Sequence, residues 1–249
     1  MQSDKALRQP SSAVIGGGSG LSLILDDVGY NIPLLKRILA LSVPVAVSVL
    51  PDSPYAEQAA RLAHRAGQVV MLHLPMQPID PSLSMSNAFL IEGMTKAALH
   101  DTFFHDIAQV PFAEGVNNHM GSKLTQLEQP MRQVMQICQQ QGLFFVDSRT
   151  TANSVAAKVA QRMGLRWATR QVFLDHIMTP ESMQQAWDKA RRCVRKGHRC
   201  IIIAHPRAAS VAFLEDHLSK EDAAHMVSIK HLLRRSKQPA LHLSSLQTP

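Results

Sequence analysis

Asp26 and Asp27, His73, the run Asn117-Asn118-His119, Asp147 and His205 each stand at or just after the end of a short apolar stretch of the chain. Carboxylates, imidazoles and carboxamides of this kind hold divalent metals or move protons, so their recurrence at equivalent places is the main chemical signal in the sequence. Adjacent residues of an extended strand point to opposite faces, so Asp26 and Asp27 serve one site only where the strand bends or ends, which Val28-Gly29 allows. Each station alone has a plainer reading. A strand-end aspartate can cap the next helix, and a lone histidine can be satisfied within the core.

The elements that would position these residues are legible from punctuation and periodicity. Ser53-Pro54 predicts a helix that buries Tyr55, Ala59, Leu62, Ala63 and Ala66 and stops at Gly67. Thr179-Pro180 predicts another, burying Met183, Ala186, Trp187, Ala190 and Val194 before Gly197. The stretch from Gln126 to Gln141 carries Leu127, Met131, Val134 and Cys138 at helical spacing, and Asn153 is read as the cap of a helix that ends at Gly164. Between them lie apolar runs at Leu21–Leu25, Val43–Val49, Val69–Leu72, Gly115–Asn118, Leu143–Val146, Arg166–Ala168, Ile201–Ala204 and Ala240–Leu243. Continuous apolar runs suit strands covered on both faces. Their alternation with helices predicts an α/β fold, a distorted (β/α) barrel of about seven parallel strands rather than a doubly wound sheet. In such a barrel every strand end opens on one face, so stations far apart in sequence converge. Residues 1–20, with the run Gly16–Gly20, read as a flexible leader; 21–249 read as one domain, with a long loop at Pro75–Ser86.

Composition narrows the class. The 249 residues are 45% hydrophobic and 18% charged, which suits a globular chain with a large core. The apolar runs fall far short of the roughly 18 residues of a membrane helix, so no membrane insertion is expected. The first twenty residues show no apolar core of a signal peptide. A net charge of +7 suits an anionic partner, but only 5% of residues are aromatic and none interleave with basic clusters, so nucleic acid is not expected. The clusters Lys189-Arg191-Arg192-Arg195-Lys196-Arg199 and Lys230-Arg234-Arg235-Lys237 are read either as solvated helix surface or as contacts for an anionic envelope polymer. Cys138, Cys193 and Cys200 lack paired spacing and read as free thiols. A triad of Asp175, His205 and Ser122 or Ser148 lacks the Gly-x-Ser-x-Gly elbow of a serine hydrolase.

The motifs taken in order are Leu25-Asp26-Asp27-Val28-Gly29-Tyr30-Asn31, Leu50-Pro51-Asp52-Ser53-Pro54, His73-Leu74-Pro75-Met76, Asn117-Asn118-His119-Met120-Gly121-Ser122, Phe145-Val146-Asp147-Ser148-Arg149-Thr150-Thr151, Val172-Phe173-Leu174-Asp175 and Ala204-His205-Pro206. Together they resemble the divergent polysaccharide deacetylase family, an outlying branch of the NodB-like carbohydrate deacetylases, over about Leu21 to Leu246. The resemblance implies a barrel of the glycoside hydrolase/deacetylase type and metal-assisted removal of acetyl groups from an N-acetylated polysaccharide or peptidoglycan-like glycan. It implies Asp26 as catalytic base, Asp27 and His73 as metal ligands and His205 as the late general acid. Ordinary deacetylases carry a second histidine four residues after the first, where this chain has Gln77, and an Arg-Pro-Tyr-Gly motif, whose place Asn117–Ser122 takes. His119 is the substitute ligand in our reading, because one carboxylate with two histidines and open positions suits zinc. Asn117, Asp147, Arg149, Arg170 and Asp175 then bind substrate or support the ligands, the plain alternative for the charged four being salt bridges among themselves. Relatives of this type work in the periplasm; a genuine start at residue 1 would instead imply the cytoplasm. The rival readings are a non-catalytic glycan-binding or cell-envelope scaffold protein that keeps the barrel, and a nucleic-acid binder using the basic clusters.

Overall fold

The computed structural model of the chain describes residues 18–83 and 85–235. Its strands are β1 (Gly20–Val28), β2 (Val45–Val49), β3 (Val69–Met76), β4 (Ala113–Met120), β5 (Phe144–Asp147), β6 (Trp167–Thr169), β7 (Val172–Phe173) and β8 (Arg199–Ala204). The helices are α1 (Ile32–Leu39), α2 (Ala56–Arg65), α3 (Lys96–Ala108), α4 (Glu128–Gln140), α5 (Ala156–Arg162), α6 (Pro180–Arg195), α7 (Ala208–His217), α8 (Lys220–His225) and α9 (Ile229–Leu232). Every strand pairing is parallel, in the order β6-β5-β4-β3-β2-β1-β8-β7.

The two outermost strands of this sheet are joined by only Arg170 and Gln171. One extended segment thus pairs with β5 through its first half and with β8 through its second. Three residue steps span at most about 11 Å, so the sheet must curl until its edges nearly meet. The result is the expected distorted barrel, with eight strands rather than about seven because the closing segment divides in two.

Alternation along the strands sorts the side chains into two cores. Leu21, Leu23 and Leu25, with Val45, Val47, Val49, Val70, Leu72, Phe145, Cys200 and Ile202, face the surrounding helices. Ile24, Ala46, Met71, Phe144, Val146, Ile201 and Ile203 face the lumen, whose lower end Ile229, Leu232 and Leu233 plug. Period two then carries the chemistry. Asp26, Ser48, His73, Ser148 and His205 each come two residues after one of these lumen residues, and Asn117 two after Gly115. The lumen is therefore an apolar layer below and a polar layer above. Gly115 is needed for that packing, since a Cβ there would lie 2.3 Å from the Phe144 ring.

Several local expectations need correction. Tyr55 and Ala66, read as buried, are exposed, because α2 spans only Ala56–Arg65 and both lie beyond its ends. Val155, not Asn153, occupies the cap of α5; the Asn153 amide instead donates to Thr151 Oγ1. Strand β3 runs on through Met76, into the stretch read as loop. Arg234 bridges to Trp167 as extended chain, so the second basic cluster is not one helix face. Gly20 already belongs to β1, while residues 1–17 of the expected leader, Lys237 and the strand expected at 240–243 lie outside the described residues. Cys138 and Cys200 are buried, Cys193 is half-buried, and all three are free thiols.

Candidate functional site

The pleat alone would send Asp27 outward. Its φ of 54°, together with a register shift between Leu25 and Val28, turns the chain so that both aspartates reach the lumen mouth. A left-handed non-glycine residue costs of order 1–2 kcal/mol, and here it lets one strand end supply two carboxylates.

Asn117 organises what lies behind them. Its Nδ2 donates to Asp26 Oδ1 at 2.8 Å and to Ser148 Oγ at 3.2 Å. An ionised carboxylate only accepts, so the amide orientation is set, and Asn117 Oδ1 must accept from Ser48 Oγ and from His73 Nδ1 at 2.8 Å. With its proton on Nδ1, neutral His73 presents the Nε2 lone pair to the mouth. There it faces Asp27 Oδ1 at 3.2 Å and His119 Nδ1 at 3.3 Å, while His119 Nδ1 lies 2.9 Å from the same Asp27 oxygen. The ligand atoms of Asp27, His73 and His119 all fall within 4.8 Å of one another. Despite these close nitrogens, Asp27 Oδ1 is buried with no aligned hydrogen-bond donor among the described residues. An orphaned anionic oxygen beside two converging ring nitrogens fits a divalent cation.

Electrostatics separate the two aspartates. Burial dominates at Asp26, which is 2% exposed, and raises its carboxyl above the ordinary value despite His73 and His205 nearby. Burial acts on Asp27 too, but the His119 and His73 rings outweigh it and hold that carboxyl well below the usual carboxylate range. One carboxylate is thus suited to take a proton and the other to stay charged. Burial opposes a charge on His73, yet Asp26 and Asp27 reverse that and raise its pKa to about 9, so the ring offers its Nε2 lone pair only where a cation takes the place of that proton.

Across the mouth, His205 follows β8 and is held by Asp175, which follows β7. Asp175 Oδ1 lies 2.8 Å from His205 Nδ1, and its Oδ2 accepts from the His205 amide at 2.8 Å and from Ser210 Oγ at 2.6 Å. His205 Nε2 is then directed at the site, 3.9 Å from Asp27 Oδ2. Burial works against the imidazolium, but Asp175 prevails and raises the histidine's pKa.

The remaining expected residues divide. Asp147 has outward parity, being the residue after lumen-facing Val146, and it touches no histidine. Its oxygens accept from the Arg149 amide and Ser154 Oγ, both at 2.8 Å, which fixes the loop after β5. Arg149 is exposed and donates to the Ala152 carbonyl at 3.3 Å. Arg170 donates to the carbonyls of Ser148 and Arg149. No ion pair joins Asp147, Arg149, Arg170 and Asp175 among the described residues. Gln77 is turned away from the mouth: its Oε1 accepts the Glu92 amide at 2.8 Å, and its backbone binds Leu90, Lys123 and Leu124. Ser48 and Ser210 were not singled out from the sequence, and Ser148 was weighed there only as a triad nucleophile. Ser48 had a signal, as the polar residue inside the run Val45–Val49. Beside the end of β1, exposed Tyr30 and Tyr55 flank an open groove of about 420 Å³.

Fold and strand-end cluster together define an α/β barrel of the carbohydrate deacetylase kind. The chain belongs to the divergent polysaccharide deacetylase family, whose model matches residues 23–233. It is 35% identical over 210 residues to the uncharacterized protein YibQ of Escherichia coli, covering 84% of this chain and 65% of YibQ. It is 34% identical over 220 residues to an uncharacterized protein of Haemophilus influenzae, covering 88% of this chain and 78% of that one. This chain thus spans just under two thirds of the length of YibQ. Among solved structures, an uncharacterized protein of Agrobacterium tumefaciens superposes with a TM-score of 0.81 at 20% identity, covering 90% of this chain and 92% of that one. The catalytic domain of a peptidoglycan N-acetylglucosamine deacetylase from Eubacterium rectale gives 0.51 at 15% identity, over 88% and 91% of the two chains. At these identities the structural likeness speaks for the fold.

Proposed function

We propose that the protein is a metal-dependent hydrolase that removes acetyl groups from an N-acetylated glycan of the cell envelope. The observation that carries this reading is Asp27, which stands between a ligand cluster on one side and a proton-carrying pair on the other. Its Oδ1 faces His73 and His119, and its Oδ2 faces His205 at 3.9 Å. Asp27, His73 and His119 would hold the ion, with zinc as our choice for two imidazoles and one carboxylate. Such an ion supplies Lewis acidity and water acidified to a pKa of about 7.

Asp26, buried beside the cluster with a raised pKa, takes the proton of the attacking water. Amines leave poorly unless protonated, so the nitrogen of the breaking amide needs a proton from the other side. His205 delivers it, oriented through Nδ1 by Asp175 and kept charged by it. Exposed Tyr30 and Tyr55 offer flat surfaces beside the mouth for sugar rings. The test is acetate release from N-acetylglucosamine oligomers and peptidoglycan by zinc-loaded protein, beside Asp26→Asn. Metal-loaded protein that frees no acetate from any N-acetylated glycan would overturn the reading; glycan binding that survives Asp26→Asn and Asp27→Asn would put a glycan-binding protein in its place.

A further inference from the structure

Five arginines elsewhere pair with carboxylates, while others, among them Arg166 and Arg234, have no ion pair among the described residues. Arg37 pairs with Glu215, Arg61 with Glu57, Arg132 and Arg162 with Glu128, and Arg191 with Asp222. Beside His205 two such unpaired arginines are held against an aromatic ring and a cavity. Arg170 lies flat on Phe173, its guanidinium carbon 3.7 Å from the ring centroid. Its Nε donates to the Ser148 carbonyl at 2.6 Å and its Nη2 to the Arg149 carbonyl at 2.7 Å, which leaves Nη1 without a protein acceptor among the described residues. Burial lowers its pKa to about 10 against the pull of Asp147 and Asp26, so it remains a cation at neutral pH, and the hydrogen bonds that hold it go to neutral carbonyls.

Phe173 also stacks on His205, with ring centroids 6.1 Å apart. Phe173, Asp175, His176, His205 and Arg207 line a cavity of about 110 Å³. Arg207 donates to the Asp175 backbone carbonyl at 3.3 Å and meets no carboxylate among the described residues. Asp175 already has His205 as its ion-pair partner, its Oδ1 2.8 Å from Nδ1. The wall that holds the proton donor therefore carries two guanidinium groups with no ion pair among the described residues. A neutral sugar gives them nothing to pair with, whereas a carboxylate or phosphate does, in the charge-assisted geometry arginine favours.

We propose that Arg170 and Arg207, with Phe173 between them, form an anion subsite on the leaving-amine side, so that the substrate is an acidic N-acetylated glycan bearing a carboxylate or phosphate on or next to the sugar that is deacetylated. This rests on the deacetylase reading for the reaction but not for the binding. The experiment uses zinc-loaded protein with three matched tetramers of N-acetylglucosamine: unmodified, bearing a carboxylate, and bearing a phosphate. One of the acidic tetramers should be preferred in kcat/KM by roughly tenfold or more, mainly through KM, and the preference should weaken with salt. Arg207→Gln and Arg170→Lys should each erase most of it, whereas Arg192→Gln, an equal loss of charge on α6, should not. Which acidic tetramer is preferred separates carboxylate from phosphate.

Equal kcat/KM on all three tetramers, or an equal effect of Arg192→Gln and Arg207→Gln, would overturn the subsite. Should no tetramer be turned over, equilibrium binding of the same three decides. Charge-dependent binding that Arg207→Gln removes keeps the subsite and retires the deacetylase reading. Equal binding, or none, retires the subsite.

Discussion

The two walls of the mouth are built differently. On the β1, β3 and β4 side, Asp26, His73 and Asn117 are at most 2% exposed, and each is fixed by a partner that is itself fixed. On the β7 and β8 side Asp175 and Ser210 are sealed, but His205 is 19% exposed in its side chain and borders an open cavity lined by an exposed arginine. A wall whose buried Asp26, His73 and Asn117 bond one another suits the part of a reaction that never varies, on the proposed reading the acetamide and its water. An open wall suits the part that differs between substrates. Damage to the first should be near total, and damage to the second graded and dependent on pH or substrate.

The largest effect is expected for Asp27→Ala and His73→Ala. Elemental analysis should find bound metal falling from one per chain to near none in both, with loss of all turnover. Asp26→Asn should keep the metal and lower kcat by about 10²- to 10⁴-fold, the span of a lost general base; equal loss of metal would place Asp26 among the ligands. Asp175→Asn breaks the open wall and should cost about 10- to 100-fold. Its signature lies in pH. Asp175 raises the pKa of His205, and an acid works only while protonated, so activity persists to higher pH than an unassisted histidine would allow. The variant's alkaline limb should move to lower pH, and an unmoved limb would separate His205 from the proton step.

Ser48→Ala touches only the far hand of Asn117 and should weaken metal affinity by no more than about tenfold, read by competition with a chelator. The smallest effect on turnover belongs to Asp106 on α3, which lies in neither wall. It is fully buried, neither oxygen has a hydrogen-bond partner, and burial, aided by Asp52, raises its pKa from 3.8 to about 8. Between those values the unfolded chain releases a proton that the folded chain keeps. Stability therefore falls as pH rises through this window, by at most about 1.4 kcal/mol per pH unit, and levels off above it. Denaturant melts of Asp106→Asn should show that slope removed while turnover stays unchanged.

Much of both walls was legible because strand ends in a parallel barrel share a face. That rule alone brought Asp26, His73, Asn117, His119 and His205 together from four separate strand ends. It erred at Asp147 because proximity to a strand end says nothing of parity, and Asp147 falls on the outward beat while Ser148, one residue on, faces Asn117. It could not foresee how Asp27 joins Asp26, since the positive φ that allows it is a property of the strand-end bend and not of the residue. The closing segment was read as one strand at Arg166–Ala168 because its second half, Val172–Phe173, is only two residues long. Helices α1, α3, α7, α8 and α9 escaped notice because none ends in the glycine that marked the others.

Gln77 and His119 together show how the cluster is encoded. In the proposed site a ligand four residues further along the chain is replaced by one reached sideways: β3 and β4 pair His73 with Asn117 and Pro75 with His119. The spacing between ligands is thus set by the distance between neighbouring strands, about 4.8 Å, and by which residue pairs with which. A one-residue slip of β4 against β3 would move Asn117 and His119 to the outer face together. Such a chain could keep helices, strands and a compact shape and still retain no metal. The metal-loaded fraction after refolding is therefore a proofreading signal, one that counts the molecules whose third and fourth strands found their proper register.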